Sequence, residues 1–278
     1  MILVTGASGT VGRSLVPHLV AAGRDVRVLT RTRSATPGVD VAIGDLGAPE
    51  TLRAALAGVD EVFLLLTLLP GVRDFEAVLR EVSKAGVGHV VFLSSVNVAS
   101  GPENVLGAMN RAGEAAVEQS GVAHTFLRAG AFHSNALAWS ESIKREGLAR
   151  FRFGRFRSAS VDPRDLAAVA ARTLLDEGHR GATYTLTGPE ALTVTDQVAI
   201  LSDVLGRPLV EDELGWDRAR KLLTKTDPPN DHLVESLLRM EHDSESYLTD
   251  VTTDVEDVTG QAPITFRQWA TDHADAFR

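Results

Sequence analysis

The sequence predicts an α/β protein: a doubly wound parallel sheet with a smaller, mostly helical lobe at its C-terminal end. Three observations predict it. An apolar strand runs straight into a glycine-rich turn and a helical pattern, Ile2-Leu3-Val4-Thr5-Gly6-Ala7-Ser8-Gly9-Thr10-Val11-Gly12. Strand-like runs then alternate with helix-period stretches across short turns, the pattern of consecutive β-α-β units. After Gly188-Pro189 the periodicity is chiefly helical.

Composition narrows the ligand class. The 278 residues carry a net charge of −9, and the pI lies near 5.4. Nucleic acid and anionic membranes select basic surfaces, so a small molecule is the expected partner. The chain has no cysteine, which removes disulfides, thiolate metal sites and cysteine nucleophiles. No basic n-region opens it, and its longest apolar run, Val62 to Leu69, is far short of the roughly 20 residues that span a bilayer. A soluble, cytoplasmic protein, monomer or homodimer, is expected.

The first turn matches a dinucleotide site. Gly6 permits the tight exit from the strand, Gly9 lets backbone approach a pyrophosphate, and Gly12 lets helix and strand pack closely. Ser8, Thr10 and Val11 complete the turn, and the diphosphate belongs on the helix N-terminus. The helix is expected over Val11 to Ala22, with Val11, Leu15, Leu19 and Val20 on one face and Gly23 ending it. Strand two follows over Asp25 to Thr30. An acidic residue at its end would grip the ribose 2′-hydroxyl of NAD, but Arg31 and Arg33 stand there instead, which favours NADP. A solvated loop is the plainer reading of those arginines.

Strand three, Val41 to Ile43, leads into Gly44-Asp45-Leu46. Asp45 has two readings, an adenine contact with Leu46 beside it or a cap for a helix over Pro49 to Ala57. Strand four is expected over Asp60 to Leu66, with Leu66 and Thr67 passing under the cofactor. A helix over Val72 to Lys84 precedes strand five, His89 to Ser95. Ligands of such sheets sit at the C-terminal strand ends, which draws Ser94 toward the cofactor and Ser95 and Asn97 toward the reacting centre. After a helix over Glu103 to Ser120, strand six (His124 to Gly130) opens into Ala131-Phe132-His133-Ser134-Asn135. Asp162-Pro163 reads as a helix start, with Asp165 favouring its dipole. Thr183 to Thr187 returns a strand to the sheet. The lobe helices are expected over Thr195 to Leu205, Leu214 to Leu223, His232 to Met240 and Phe266 to Phe277. The division is placed after residue 155, giving a dinucleotide-binding domain and a substrate lobe.

With these residues in view, the chain resembles the short-chain dehydrogenase/reductase superfamily, a Rossmann-fold group, in its atypical NmrA-like branch. Thr5 to Gly12 resembles the nucleotide motif, Gly44-Asp45-Leu46 the adenine-side motif, and Thr125 to Phe132 with Asn135 the strand-six segment. Val161-Asp162, Asp165-Leu166-Ala167 and Tyr184 to Pro189 look like its later landmarks. The resemblance implies an NAD(P)H-dependent oxidoreductase, and quinone- or azo-reductase-like activity occurs in the branch. It departs at one point. The usual superfamily member uses a tyrosine with a lysine four residues on, whereas Tyr184 and Tyr247 are the only tyrosines and neither has that lysine. Asn110, Arg111 and Glu114 occupy the helix where the dyad would stand.

A positioned general acid contributes about a hundred- to ten-thousand-fold, and its loss weighs most on an ordinary ketone. A conjugated acceptor (quinone, enone or imine) delocalises the incoming charge, so orientation against the nicotinamide supplies most of the help. Hydride transfer from NADPH to such an acceptor is the leading expectation. His133 is the candidate acid, with Ser95, Asn97 and Asn135 as donors to an oxyanion. Phe132 and Trp139 are candidates for an apolar wall. A non-catalytic NADP(H) sensor and a biosynthetic tailoring reductase or isomerase are the alternatives. No metal site is expected.

Overall fold

The computed structural model describes residues 1–32, 38–65, 74–224, 231–243 and 246–278. In chain order these form β1 (Ile2–Val4), α1 (Gly12–Ala21), β2 (Val26–Thr30), β3 (Asp40–Ile43), α2 (Leu52–Ala55), β4 (Glu61–Leu64), α3 (Phe75–Lys84), β5 (His89–Ser95), α4 (Val105–Gln119) and β6 (His124–Ala129). Then follow α5 (Ser140–Glu146), β7 (Leu148–Phe151), β8 (Arg157–Ser158), α6 (Pro163–Leu175), β9 (Thr183–Leu186), β10 (Leu192–Thr193), α7 (Val194–Leu205), β11 (Val210–Glu213), α8 (Gly215–Leu223), α9 (Asp231–Asp243), α10 (Asp254–Thr259) and α11 (Phe266–Asp272).

Seven strands pair in the order β3-β2-β1-β4-β5-β6-β9, every pair parallel. This is the expected doubly wound sheet. Alternation along each strand feeds two cores. Val91 and Leu93 of β5 pack with Leu15 and Leu19 of α1, Leu166 and Ala170 of α6 and Val255 of α10. Val90 and Phe92 pack on the other face with Leu52 of α2, Val78 and Val82 of α3 and Val117 of α4. The order reverses between β1 and β4, and in such sheets the C-terminal strand ends at that point are where ligands bind. Thr5 fixes that point: its hydroxyl donates to the Phe63 carbonyl at 3.1 Å and accepts from the Leu65 amide at 2.9 Å.

Helix starts follow local capping chemistry. Asp74 accepts from the Ala77 amide and Asn104 from the Gly107 amide, and Thr193 with Asp196 forms a reciprocal box. Asp162 caps α6 with Pro163 at its first position, as the sequence predicted. The expected helix over Pro49 to Ala57 is instead a 3₁₀ turn, Pro49–Thr51, running into the short α2. The last expected helix stops at Asp272 and a separate 3₁₀ turn, Ala274–Ala276, follows.

Ala136, Trp139, Ile143, Ala149 and Phe151 pack with Val198, Leu201, Phe266 and Trp269 in a core separate from the two beside the sheet. β7 pairs with β11 and β8 with β10, two small sheets that the helical reading of the lobe left out. Conversely α6 and β9 belong to the main sheet's layers. Trp139 meets Phe151 edge to face at 6.3 Å inside the lobe core, so it forms no substrate wall.

Asp165 straps the lobe to the sheet. Its carboxylate accepts from the Ile264 amide at 2.8 Å, and burial, with the Asp162 charge nearby, pushes its pKa up to about 6 against that hydrogen bond. The native state therefore keeps a proton that the unfolded chain releases near pH 3.8. Stability is fully present below that value and falls as pH rises toward 6, by at most about 3 kcal/mol. Asp165→Asn is expected to remove this slope and to be the more stable protein at pH 7.5. Urea unfolding between pH 5 and 8 checks it; parallel wild-type and variant curves contradict it.

Candidate functional site

The first turn forms as the glycine spacing requires. Gly6 has φ +63°, and its carbonyl accepts from the Gly9 amide at 2.9 Å. A Cβ on Gly12 would lie 2.3 Å from the Gly6 carbonyl oxygen and 2.6 Å from the Ala7 Cα, so the helix can start here only with glycine. Val11 precedes the helix without a side-chain cap. Ser8 and Thr10 are exposed on the rim of the turn. An uncapped helix start at the sheet's switch point is the chemistry a pyrophosphate needs. These residues fit a dinucleotide.

One cation near the turn escaped the sequence reading. Arg13 folds back, its guanidinium donating to the Gly9 carbonyl at 3.2 Å and the Ser8 carbonyl at 3.3 Å, which brings positive charge beside the phosphate turn. Its position right after the third glycine was the available signal. Arg31 is exposed just past the end of β2, where a 2′-phosphate would lie. Arg33, Leu66 and Thr67 fall outside the described residues.

Beyond β3 the two readings of Asp45 are resolved in part. Its carboxylate accepts from the Gly47 amide at 2.9 Å and caps no helix. Leu46 is buried with Leu29 and Leu52, so only its backbone can face a ligand.

At the end of β5 two adjacent serines part company. Ser94 is buried and donates to a Glu114 oxygen at 2.6 Å, while Arg128 of β6 grips Glu114 through Nε at 3.0 Å and a terminal nitrogen at 2.7 Å. The proton of that hydroxyl is committed within the protein. Ser95, on the other face, is half-buried; its oxygen accepts from the Asn97 backbone amide at 3.2 Å and the Asn97 side-chain amide at 2.9 Å. The helix that lacks the dyad has internal work: Asn110 donates to the Leu106 carbonyl, and Arg111 donates to the carbonyls of Val98 and Ser100, pinning the loop after β5.

His133 is displaced from the role expected of it. It is 1% exposed. Nε2 donates to the Ile264 carbonyl at 3.1 Å, so Nδ1 is the acceptor of the Ser160 hydroxyl at 2.9 Å. Burial pushes its pKa down, against the Ile264 hydrogen bond and the Asp162 charge. A neutral imidazole with both nitrogens engaged, edge-on to Phe266 at 5.3 Å, is a joint between sheet and lobe and holds no proton for a substrate. Asn135 is exposed on the turn that follows. The structure thus groups the turn from Gly6 to Gly12, Arg31, Ser95 and Asn97 at the C-terminal strand ends, with the Ser94 hydroxyl proton and both His133 nitrogens bonded within the protein. A cleft of about 720 Å³ between Arg24, Glu61, His89 and Arg180 lies at the opposite edge and takes no part.

Fold and site define the class, a doubly wound parallel α/β protein with a dinucleotide turn at its switch point. A family model described as NAD(P)H-binding matches residues 6–177. A (4-alkanoyl-5-oxo-2,5-dihydrofuran-3-yl)methyl phosphate reductase of Streptomyces griseus is 42% identical, over 100% of this chain and 99% of that one. An NAD(P)H azoreductase of Xenophilus azovorans is 34% identical, over 100% and 99%. Among solved structures, an NADPH-dependent quinone oxidoreductase of Escherichia coli complexed with NADPH superposes with TM-score 0.84 at 26% identity, over 98% and 99% of the two chains. The chain belongs to the NAD(P)H-binding family that this model describes, and its fold is shared with NmrA, a negative transcriptional regulator, at TM-score 0.77 and 17% identity. It is an NAD(P)H-dependent oxidoreductase.

Proposed function

We propose that this protein reduces a conjugated carbonyl acceptor, of the enone or quinone type, with NADPH as hydride donor. The observation that carries this reading is the chemistry at the acceptor end: Ser95 and Asn97 are neutral hydrogen-bond donors, and the one histidine nearby is sealed and neutral. Such a site stabilises an oxygen that gains charge; it does not hand a strong acid to an isolated alkoxide. NADPH, when bound, would supply a hydride from its nicotinamide C4 to the β-carbon of the acceptor. The electron pair of the broken C=C π bond would pass to the α-carbon and the carbonyl oxygen, where the Ser95 hydroxyl would meet the charge, and solvent would protonate the α-carbon. The relative from S. griseus is named for a 5-oxo-2,5-dihydrofuran, itself a conjugated lactone, which supports the enone over the azo acceptor.

The test is a panel of a 3-acyl-2(5H)-furanone, menadione, an azo dye and cyclohexanone, with NADPH loss followed at 340 nm. The first two should turn over at least about a hundredfold faster than the saturated ketone. Equal rates on the ketone, or no oxidation with any acceptor, overturn the reading. Preference for NADPH rests on Arg31 at the end of β2. A charge-assisted contact contributes roughly 1.5–3 kcal/mol, so Arg31→Ala should cost at least about tenfold in NADPH affinity by calorimetry and leave NADH unchanged.

A further inference from the structure

We propose that Tyr247, carried by the C-terminal lobe, is a positioning residue for the reduction: it sets the direction of a hydrogen-bond chain that turns the Ser95 hydroxyl toward the acceptor. The inference rests on the reductase reading above and extends it to a residue more than a hundred positions beyond the helix where the superfamily's tyrosine stands.

The direction of the chain follows from one backbone group. The Gly107 amide at the start of α4 can only donate, and it does so to the Asn104 side-chain oxygen at 3.0 Å. The Asn104 amide nitrogen is thereby turned to the Tyr247 oxygen, 3.4 Å away. With that oxygen accepting, the phenol proton goes to the Asn97 side-chain oxygen at 3.2 Å. Asn97 is in turn fixed with its nitrogen on Ser95, at 2.9 Å. The Gly107 amide sets the Asn104 orientation, and Asn97 is oriented with its oxygen on Tyr247 and its nitrogen on Ser95. Ser95 now accepts twice, and among the described residues its own O–H has no acceptor. The free proton stands half-buried at the C-terminal end of β5, where the sheet topology places the acceptor.

Every link donates in the same sense, Asn104 to Tyr247 to Asn97 to Ser95 to ligand. Chains of this kind strengthen each member by about 10–30% per bond, and most where charge develops at the end. The lobe holds Tyr247 in place: Leu248 is buried, and its carbonyl accepts from the Ala159 amide at 2.8 Å. A second lobe contact, the Ser236 hydroxyl accepting from the Val105 amide at 2.9 Å, fixes the same helix start. The acceptor site is therefore completed by the lobe and does not belong to the sheet alone.

The experiment is a double-mutant cycle on turnover of a 3-acyl-2(5H)-furanone and of menadione by the full chain, with NADPH affinity read separately by calorimetry. Tyr247→Phe removes one hydroxyl and should lower kcat about tenfold without changing NADPH affinity. Ser95→Ala should lower kcat about a hundredfold, the usual effect of removing one oxyanion donor. The double variant should be no slower than Ser95→Ala, because the tyrosine acts only through the serine. A merely structural tyrosine would slow the Ser95→Ala background as well. Asn104→Asp keeps the helix cap but draws the phenol proton away from Asn97; a similar kcat loss with an unchanged melting temperature is expected. If the wild type reduces both acceptors and Tyr247→Phe and Asn104→Asp match it, or if the losses are additive, this inference falls alone. If the wild type binds NADPH and reduces neither acceptor, the reductase reading falls and takes the inference with it.

Discussion

Gly12→Ala is expected to lower NADPH affinity by more than about a hundredfold and to cost about 1–3 kcal/mol of stability, the usual range for forcing one extra carbon into a packed place. The added Cβ would stand 2.3 Å from the Gly6 carbonyl oxygen and 2.8 Å from its carbon, and 2.6 Å from the Ala7 Cα. All three are backbone atoms. No side chain can swing aside, so the turn itself must open, and the amides that face the pyrophosphate move with it. Gly9→Ala is the internal comparison: its Cβ meets the Gly6 carbonyl oxygen at 3.0 Å and the carbonyl carbon only at 4.0 Å, an ordinary contact. That variant should lose only about tenfold, since one carbonyl can tilt by a few tenths of an ångström. Titration of both variants with NADPH, with melting curves alongside, separates the cases. A Gly12→Ala protein binding within threefold of wild type would show that the turn is not where the dinucleotide sits.

That prediction was legible in the sequence because it depends on local chemistry. Three glycines between a strand and a helix specify backbone geometry with no help from distant residues, and the same holds for the Asp162-Pro163 helix start. What the sequence did not show is what depends on partners far along the chain. The Val210-Glu211-Asp212-Glu213 strand is acidic and poor in strand formers, yet it pairs with β7 because Arg150 meets Asp212 across the pair at 2.6 Å. No period along either segment records that ion pair. The acidic residues there read as a solvated helical lobe for the same reason.

The candidate site divides along the same line. Its phosphate turn is contiguous, and so was readable. The proposed acceptor end draws on β5, the α4 cap and a turn of the lobe, so Tyr247 and Asn104 carried no local signal; only the scarcity of tyrosine in the chain drew attention to Tyr247. His133 failed as an acid for a physical reason that sequence cannot carry. A histidine in a polar loop looks available, but Ser160 and Ile264, twenty-seven and 131 positions away, take both of its nitrogens. Ser94 and Ser95 show the limit at its sharpest: neighbouring residues of one type, separated in role by strand alternation alone.

Glu114→Ala is expected to be the most destabilising single change at the acceptor end, about 3 kcal/mol. Glu114 is 7% exposed and holds Arg128 at two nitrogens and Ser94 at one oxygen. Removing one partner of a buried ion pair costs about 3–5 kcal/mol, chiefly because the other charge is left without a counter-ion. The lower end applies because the Arg128 side chain is 34% exposed and can turn toward water. Glu114 holds the Arg128 pKa above its ordinary value, so the guanidinium that loses its partner stays charged. For a protein of this size the melting temperature should fall by roughly 6–12 °C. Glu114→Gln keeps one acceptor, for Ser94 and the Arg128 Nε, but also leaves the guanidinium without a counter-ion, and should therefore retain most of the loss. The consequence reaches chemistry, because Ser94 anchors the end of β5 from which Ser95 projects. Glu114→Ala should lower kcat while NADPH affinity changes little, since the phosphate turn lies on other elements. A variant that melts within 2 °C of wild type would mean that the end of β5 is held by strand pairing with β6 alone, and that the ion pair adds only charge balance beneath the site.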